Sequence, residues 1–122
     1  MKITLEQAAQ MVADAQTVIL TSHIRPDGDS IGSTLGLMHY LREQGKDARV
    51  LIDDEIPRTF RVLPGIEQIE RPAEGMRYTA DLLIVCDVEL KRTGTVLDAV
   101  DAVRVLNIDH HVTNDEAAEY LY

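Results

Sequence analysis

One short segment of this sequence carries several side chains of the kind that bind metal ions. His23, Asp27 and Asp29 lie within seven consecutive positions, in the spacing His-x-x-x-Asp-x-Asp. An apolar run at residues 18–20 precedes them, and a proline and a glycine interrupt the chain between them. This pattern predicts a strand, a tight loop and then a helix. An imidazole and two carboxylates in one such loop are typical of a divalent metal site.

Two later segments place the same kinds of side chain after predicted strands. Asp87 ends one apolar run, and Asp109, His110 and His111 follow another. Because ligands bind outside the carboxyl ends of strands in open α/β sheets, three strand ends could bring these groups into one crevice. Close carboxylates repel one another unless cations neutralise them. Two divalent ions in such a crevice would favour hydrolysis of phosphoesters or phosphoanhydrides.

The alternation of strand-like and helix-like segments predicts the fold that would position these groups. Apolar and β-branched runs predict strands over residues 17–22, 48–52, 81–87 and 103–108. Helical spacing predicts a helix opened by the capping pattern Thr4-x-x-Gln7, a second from Ser30 to residue 44, and a short third over 95–100. We therefore expect an α/β fold, Rossmann-like and three-layered, with a mostly parallel sheet and helices on both faces. Residues 113–122 receive no assignment.

Each motif taken alone also fits an ordinary structural role. Asp29 or Ser30 could simply cap the second helix, and the later acids and histidines could be solvated strand ends. The acidic residues 53–55 are interpreted as a solvated loop, and Cys86 as a small buried hydrophobic residue. The occurrence of all three motifs at one predicted sheet edge favours the metal site.

Composition and charge narrow the class of protein. A length of 122 residues predicts one domain. Acidic residues outnumber basic ones by 21 to 12, which argues against nucleic-acid binding through a basic face. Bound metal ions would then supply the positive charge for an anionic substrate. With one cysteine, no signal-like N-terminus and no long apolar run, we expect a cytoplasmic protein without a membrane partner.

The three motifs together resemble the DHH phosphoesterase superfamily. The resemblance lies in the motif that begins at His23, in Asp87 with the following Arg92-Thr93-Gly94, and in the Asp-His-His triplet at 109–111. Within the superfamily the chain is most similar to the DHH/DHHA1 proteins that act as nanoRNases and as phosphatases of 3′-phosphoadenosine 5′-phosphate. The resemblance implies a metal-dependent phosphoesterase that hydrolyses phosphodiester or phosphomonoester bonds of short oligoribonucleotides or nucleoside bisphosphates.

The resemblance also implies which residues would bind two Mn²⁺ ions. His23 and Asp27 would hold the first ion, Asp29 and His110 the second, and Asp87 would bridge them. Mg²⁺ or another divalent ion could take the place of Mn²⁺.

Further residues would act on the substrate in the same comparison. His111 would face the scissile phosphate, and Asp109 would orient the neighbouring histidines instead of binding metal directly. Arg92 would contact the substrate. Arg25 is added as a second substrate contact because of its position in the first loop.

The chain departs from the family pattern after its last motif. Family members carry a further acidic ligand and a second, DHHA1 domain, and neither is present here. We therefore expect residues 1–122 to be an N-terminal DHH catalytic domain, with a homodimer as one way to cover its apolar surface. Three alternatives stay open: a fragment that binds metal without turnover, a plain nucleotide-binding module, or another DHH-type activity such as a single-strand exonuclease or a cyclic-dinucleotide phosphodiesterase.

Overall fold

The strands of the protein form one parallel sheet. The computed structural model describes all 122 residues, with strands β1 (Thr17–Thr21), β2 (Asp47–Val50), β3 (Tyr78–Cys86), β4 (Val100–Ile108) and β5 (Tyr120–Leu121). They lie in the order β2-β1-β3-β4-β5, and every neighbouring pair runs parallel. The predicted parallel α/β fold is therefore confirmed.

Helices cover both faces of this sheet. They are α1 (Leu5–Asp14), α2 (Gly28–Glu43) and the short α3 (Val96–Ala99). Successive side chains of a strand point to opposite faces. Leu20 and Ile84 accordingly pack toward α1 and α2, whereas Ile19 and Leu83 pack in a second core with Val96 of α3. Burial on both faces explains why the sequence of β3 is almost continuously apolar.

Cys86 ends β3 inside the larger of the two cores. It is 4% exposed, which confirms the interpretation of this residue as a small buried hydrophobic side chain. Burial raises the pKa of its thiol to about 12, so the thiol stays protonated at neutral pH. Cys86 is therefore a packing residue and not a nucleophile.

The helix N-termini follow from local side-chain chemistry. Thr4 Oγ1 accepts a hydrogen bond from Gln7 N, and Gln7 Oε1 accepts one from Thr4 N, which confirms the predicted capping box. The second helix begins at Gly28, two residues before its predicted start near Ser30, and the alternative that Asp29 or Ser30 caps it is wrong. Asp27 is the cap, because its Oδ1 accepts from Ser30 N at 2.9 Å while Ser30 Oγ accepts from Asp27 N at 2.9 Å.

The unassigned C-terminal segment contributes the fifth strand. Tyr122 N donates to Asn107 O of β4 at 2.9 Å. On its other side, β5 is held by the N-terminal residues, since Ile3 N donates to Leu121 O at 2.8 Å and Leu121 N donates to Met1 O at 2.9 Å. A strand of two residues carries too little periodicity to be recognised from sequence.

An apolar groove lies between α1 and α2. It has a volume of about 510 Å³, and ten of its twelve lining residues are hydrophobic, among them Leu5, Val12, Leu37 and Tyr40. The homodimer expected from the sequence stays a prediction, which sedimentation velocity would test. None of the helices combines the length and the apolar character needed to cross a membrane.

Candidate metal centre

The loops with the predicted ligands meet at one edge of the sheet. β1 lies between β2 and β3, so the direction in which the chain adds strands reverses at β1. The crevice outside such a reversal is the usual ligand site of an open α/β sheet. The loops after β1, β3 and β4 carry the predicted ligands, and these three strands are neighbours.

The first group of donor atoms comprises His23, Asp27 and Asp87, which each offer one atom within 4.8 Å of the others. His23 Nε2 lies 3.8 Å from Asp27 Oδ2, and its Nδ1 lies 2.7 Å from the carbonyl oxygen of Ile24. A carbonyl oxygen can only accept, so Nδ1 carries the proton and donates it. This leaves Nε2 with a lone pair that faces the carboxylates, as a metal-ligating histidine requires.

Asp27 divides its two carboxylate oxygens between two tasks. Oδ1 caps α2 through Ser30 N, while Oδ2 faces His23. The hydrogen bond from Ser30 N lowers the pKa of Asp27 although partial burial opposes the shift. The carboxylate is therefore ionised at neutral pH and oriented by the helix that it caps.

The second group comprises Asp87, Asp109, His110 and His111, whose donor atoms also lie within 4.8 Å of one another. His110 Nε2 lies 2.9 Å from Asp87 Oδ1. Asp87 thus belongs to both groups and joins them. Carboxylate and imidazole donors without a thiolate fit Mn²⁺, Mg²⁺, Fe²⁺ or Zn²⁺.

Asp87 is held in an unusual backbone conformation. Its φ of 66° lies in the left-handed region, which aspartate and asparagine adopt more readily than other non-glycine residues. Asp87 N donates to Ile108 O at 2.8 Å, and the side chain is 12% exposed. Conformations of this kind cluster at functional sites, and Asp87 is the residue that belongs to both groups of donors.

Asp109 and His111 form a hydrogen-bonded pair within the second group. The Asp109 side chain is fully buried, its Oδ1 lies 2.5 Å from His111 Nδ1, and its Oδ2 accepts from Asn114 Nδ2 at 2.8 Å. Burial alone would raise the pKa of Asp109, but the hydrogen bonds from Asn114 and His111 lower it overall. The same bond to Asp109 raises the pKa of His111. With both oxygens engaged by side chains, Asp109 has the geometry of an orienting group.

Other predicted site residues lie outside the two groups. Asp29 is exposed in the first turn of α2 and belongs to neither group. The side chains of Arg25 and Arg92 are exposed and make no hydrogen bond within the protein. Their loops are nevertheless neighbours, because Ile24 N donates to Arg92 O at 3.1 Å. The roles of these residues stay predictions.

Asn107 is a site-forming residue that the sequence analysis missed. It is fully buried in β4, where its Nδ2 donates to Val85 O at 3.0 Å and to Val88 O at 2.8 Å. These carbonyl groups stand on either side of Asp87. The amide therefore holds the turn that presents the shared carboxylate.

Asn114 extends this arrangement to the second group. Its Nδ2 donates to Asn107 Oδ1 at 3.0 Å and to Asp109 Oδ2 at 2.8 Å. One network thus connects the Asp87 turn with the Asp109 carboxylate. The available signal was a polar side chain between Leu106 and Ile108 at the end of β4, since a buried amide needs partners.

The two roles of Asp27, as the cap of α2 and as a candidate metal ligand, lead to a testable prediction. Asparagine also caps helices well, so Asp27→Asn should keep the melting temperature while it weakens Mn²⁺ binding, because the ligand charge is lost. Asp27→Ala should lose the cap as well, at a further cost of about 1 kcal/mol. Calorimetric Mn²⁺ titration and thermal unfolding measure the two effects. Equal melting temperatures for the two variants would contradict the capping role.

The fold and the two donor groups define a parallel α/β domain with a candidate divalent-metal centre beside β1, where the strand order reverses. The chain belongs to the DHH family: the N-terminal domain of that family matches residues 17–122. Membership of this family implies that the chain uses a divalent metal, and it supports a phosphoesterase function.

Several known proteins are similar to the chain. The bifunctional oligoribonuclease and PAP phosphatase NrnA of Thermus thermophilus is 38% identical over 98 residues, which are 80% of this chain and 28% of that protein. The NrnA of Bacillus subtilis is 26% identical, over 87% of this chain and 33% of its own length. A crystal structure of an exopolyphosphatase-related protein from Bacteroides fragilis superposes with a TM-score of 0.83 at 28% identity, over 96% of this chain and 37% of that one. The chain thus spans about a third of the length of these relatives.

Proposed function

We propose that this chain is the catalytic domain of a manganese-dependent, two-metal phosphoesterase that hydrolyses short oligoribonucleotides or nucleoside bisphosphates in the cytoplasm. The observation that carries the proposal is the position of Asp87 in both groups of donor atoms. A carboxylate that belongs to both groups could contribute to two adjacent ions at once. The names of the NrnA relatives support the substrate class.

In this proposal His23 and Asp27 would hold one ion, His110 would hold the other together with Asp29, and Asp87 would contribute to both. Asp29, which lies outside both donor groups, is included because the resemblance implies it. Bound divalent ions would polarise the phosphoryl oxygens and supply hydroxide near neutral pH. The protein contributes fixed orientation, because the ligands sit on hydrogen-bonded turns at strand ends.

His111 and the two arginines would act on the substrate. His111 Nδ1 donates to Asp109, so in the imidazolium form the proton on Nε2 is free to be donated to a phosphate oxygen or to the leaving group. Arg25 and Arg92 present exposed guanidinium groups on adjacent loops. They would offset the net charge of −9 locally when a polyanion approaches.

The proposal is tested by Mn²⁺-dependent release of mononucleotide from the dinucleotide pApA. We expect the metal-free protein to be inactive, activity to return on addition of Mn²⁺, and calorimetry to find two sites. Binding of Mn²⁺ without turnover, both by this chain and by a chain extended to the length of the relatives, would contradict the proposed reaction and support the reading as a metal-binding module.

A second candidate substrate has its own support. The cyclic-di-AMP phosphodiesterase GdpP of Bacillus subtilis is 27% identical over 119 residues, which are 88% of this chain and 18% of that protein. The same assay with cyclic-di-AMP beside pApA decides between the two substrates. Faster cleavage of the cyclic dinucleotide would reassign the substrate class and leave the metal centre in place.

A further inference from the structure

The acidic residues after β2 contact two different loops of the candidate site. Asp54 Oδ2 accepts a hydrogen bond from the backbone N of Arg25 at 2.8 Å, and its Oδ1 accepts from Glu55 N at 2.8 Å. Arg25 has a φ of 56°, so this bond supports a residue in the left-handed region. Residues 53–55 lie in a loop and in neither donor group, as interpreted from the sequence, and within it Asp54 also holds the loop between His23 and Asp27.

Asp53 holds a second loop, the turn that follows Arg92. Its Oδ2 accepts from Thr95 N at 2.8 Å and from Thr95 Oγ1 at 2.9 Å. Gly94 packs so closely on this carboxylate that a Cβ atom there would lie 2.5 Å from Asp53 Oδ2. The Asp53 side chain is 18% exposed and also faces Arg71 Nε at 3.4 Å.

A backbone hydrogen bond closes the arrangement into a ring. Ile24 N donates to Arg92 O at 3.1 Å, which joins the two loops directly. Adjacent residues 53 and 54 join the same two loops through their carboxylates. Each loop is thus fixed at two points, once to the other loop and once to the end of β2. We call this ring the β2 clamp.

We propose that Asp53 and Asp54 are positioning residues of the active site, Asp54 for the metal-binding loop and Asp53 for the turn that carries Arg92. The assignment rests on the proposed function, because it concerns the same metal and substrate groups. Neither carboxylate belongs to a donor group, so both act through the backbone of their neighbours. A clamp of this kind sets the distance between the ligands of one ion and a substrate-binding guanidinium.

The two carboxylates should therefore differ in effect. Asp54→Ala frees the His23–Asp27 loop and should weaken Mn²⁺ affinity about tenfold, the scale of losses at outer-shell partners. Asp53→Ala should leave Mn²⁺ affinity unchanged and weaken binding of 5′-AMP to the Mn²⁺-loaded protein about tenfold, because Arg92 loses its fixed position. Asp54→Asn and Asp53→Asn each keep one acceptor oxygen. They should therefore lose less affinity, for Mn²⁺ and for 5′-AMP respectively, than the alanine variants.

Two control variants separate positioning from stability. Asp81 accepts hydrogen bonds from Gln16 N at 2.9 Å and Thr17 N at 3.1 Å at the opposite end of β1, so Asp81→Ala removes a similar anchor far from the site. Glu55→Gln makes the charge change of Asp54→Asn at an exposed neighbour whose side chain makes no hydrogen bond. Both controls should keep the Mn²⁺ and 5′-AMP affinities of the wild-type protein.

Calorimetry with Mn²⁺ alone and then with 5′-AMP decides the question without requiring turnover. Mn²⁺ affinity that is equal in Asp54→Ala and Asp81→Ala would overturn the clamp, even if the wild-type protein hydrolyses nucleotides. A wild-type protein that binds Mn²⁺ but no nucleotide would refute the proposed substrate class, and the comparison at Asp54 would still decide the metal half of the clamp. A wild-type protein that binds no Mn²⁺ would overturn the proposed function and the clamp together.

Discussion

Asp87→Asn is expected to abolish metal-dependent hydrolysis while the fold remains intact. The carboxylate is the only one shared by both donor groups, and a neutral amide cannot bridge two cations in its place. Mutation of a residue that only hydrogen-bonds to a metal ligand typically lowers metal affinity about 10–100-fold. Loss of a shared ligand should therefore lower Mn²⁺ affinity at least about 100-fold. Asparagine tolerates the left-handed conformation of residue 87, so the backbone hydrogen bond to Ile108 should persist.

Mn²⁺ titration, pApA hydrolysis and thermal unfolding together measure this prediction. Asp47→Asn is the matched control, because Asp47 is an exposed aspartate at the amino end of β2 and lies in neither donor group. It should behave as the wild-type protein in all three measurements. Two intact Mn²⁺ sites in Asp87→Asn would refute the bridging role, whatever the activity.

Replacing His111 by alanine should lower kcat by about 10²–10⁴-fold, the range attributed to a positioned proton donor or acceptor. In the proposed arrangement His111 faces the substrate, so the number of bound Mn²⁺ ions should not change. His39→Ala provides a control in another histidine, one whose Nε2 contacts Pro64 O away from the donor groups. Loss of one Mn²⁺ ion in His111→Ala would instead make His111 a metal ligand.

The pH dependence should report the pair that His111 forms with Asp109. The hydrogen bond that His111 donates to Asp109 raises the pKa of His111, so the imidazole keeps its proton to higher pH than an isolated histidine. Activity that needs this proton is present below the raised pKa and is lost as pH rises through it. Asp109→Asn removes the charge, lowers the pKa of His111 and should move the alkaline loss of kcat to lower pH. If folded Asp109→Asn loses kcat at the same alkaline pH as the wild-type protein, His111 is not the proton donor.

Local patterns in the sequence determined the class of fold and the family. Apolar runs predicted the four longer strands, since each strand has a buried stretch whose neighbouring residues are apolar. The capping box at Thr4 needs only residues within one helical turn, so it too was readable. The three motifs were enough to identify the DHH family because each is contiguous and stands at a strand end.

Tertiary structure alone decided the partners of individual polar groups. Asp27 and not Asp29 caps α2, because the carboxylate that turns toward His23 also reaches Ser30 N. Asn107 meets the Asp87 turn only after β3 and β4 have paired in register. Asp54 meets Arg25, 29 positions away, only where the ends of β1 and β2 lie side by side.

The physical reason lies in the range of the interactions. Periodicity and capping act between residues a few positions apart, and the sequence therefore determined the elements and the residue types at their ends. Hydrogen bonds between loops depend on strand order and register, which no local pattern encodes. The sequence thus determined which residue types stand at the strand ends, and the fold decided that residues 53 and 54 form hydrogen bonds to two neighbouring loops.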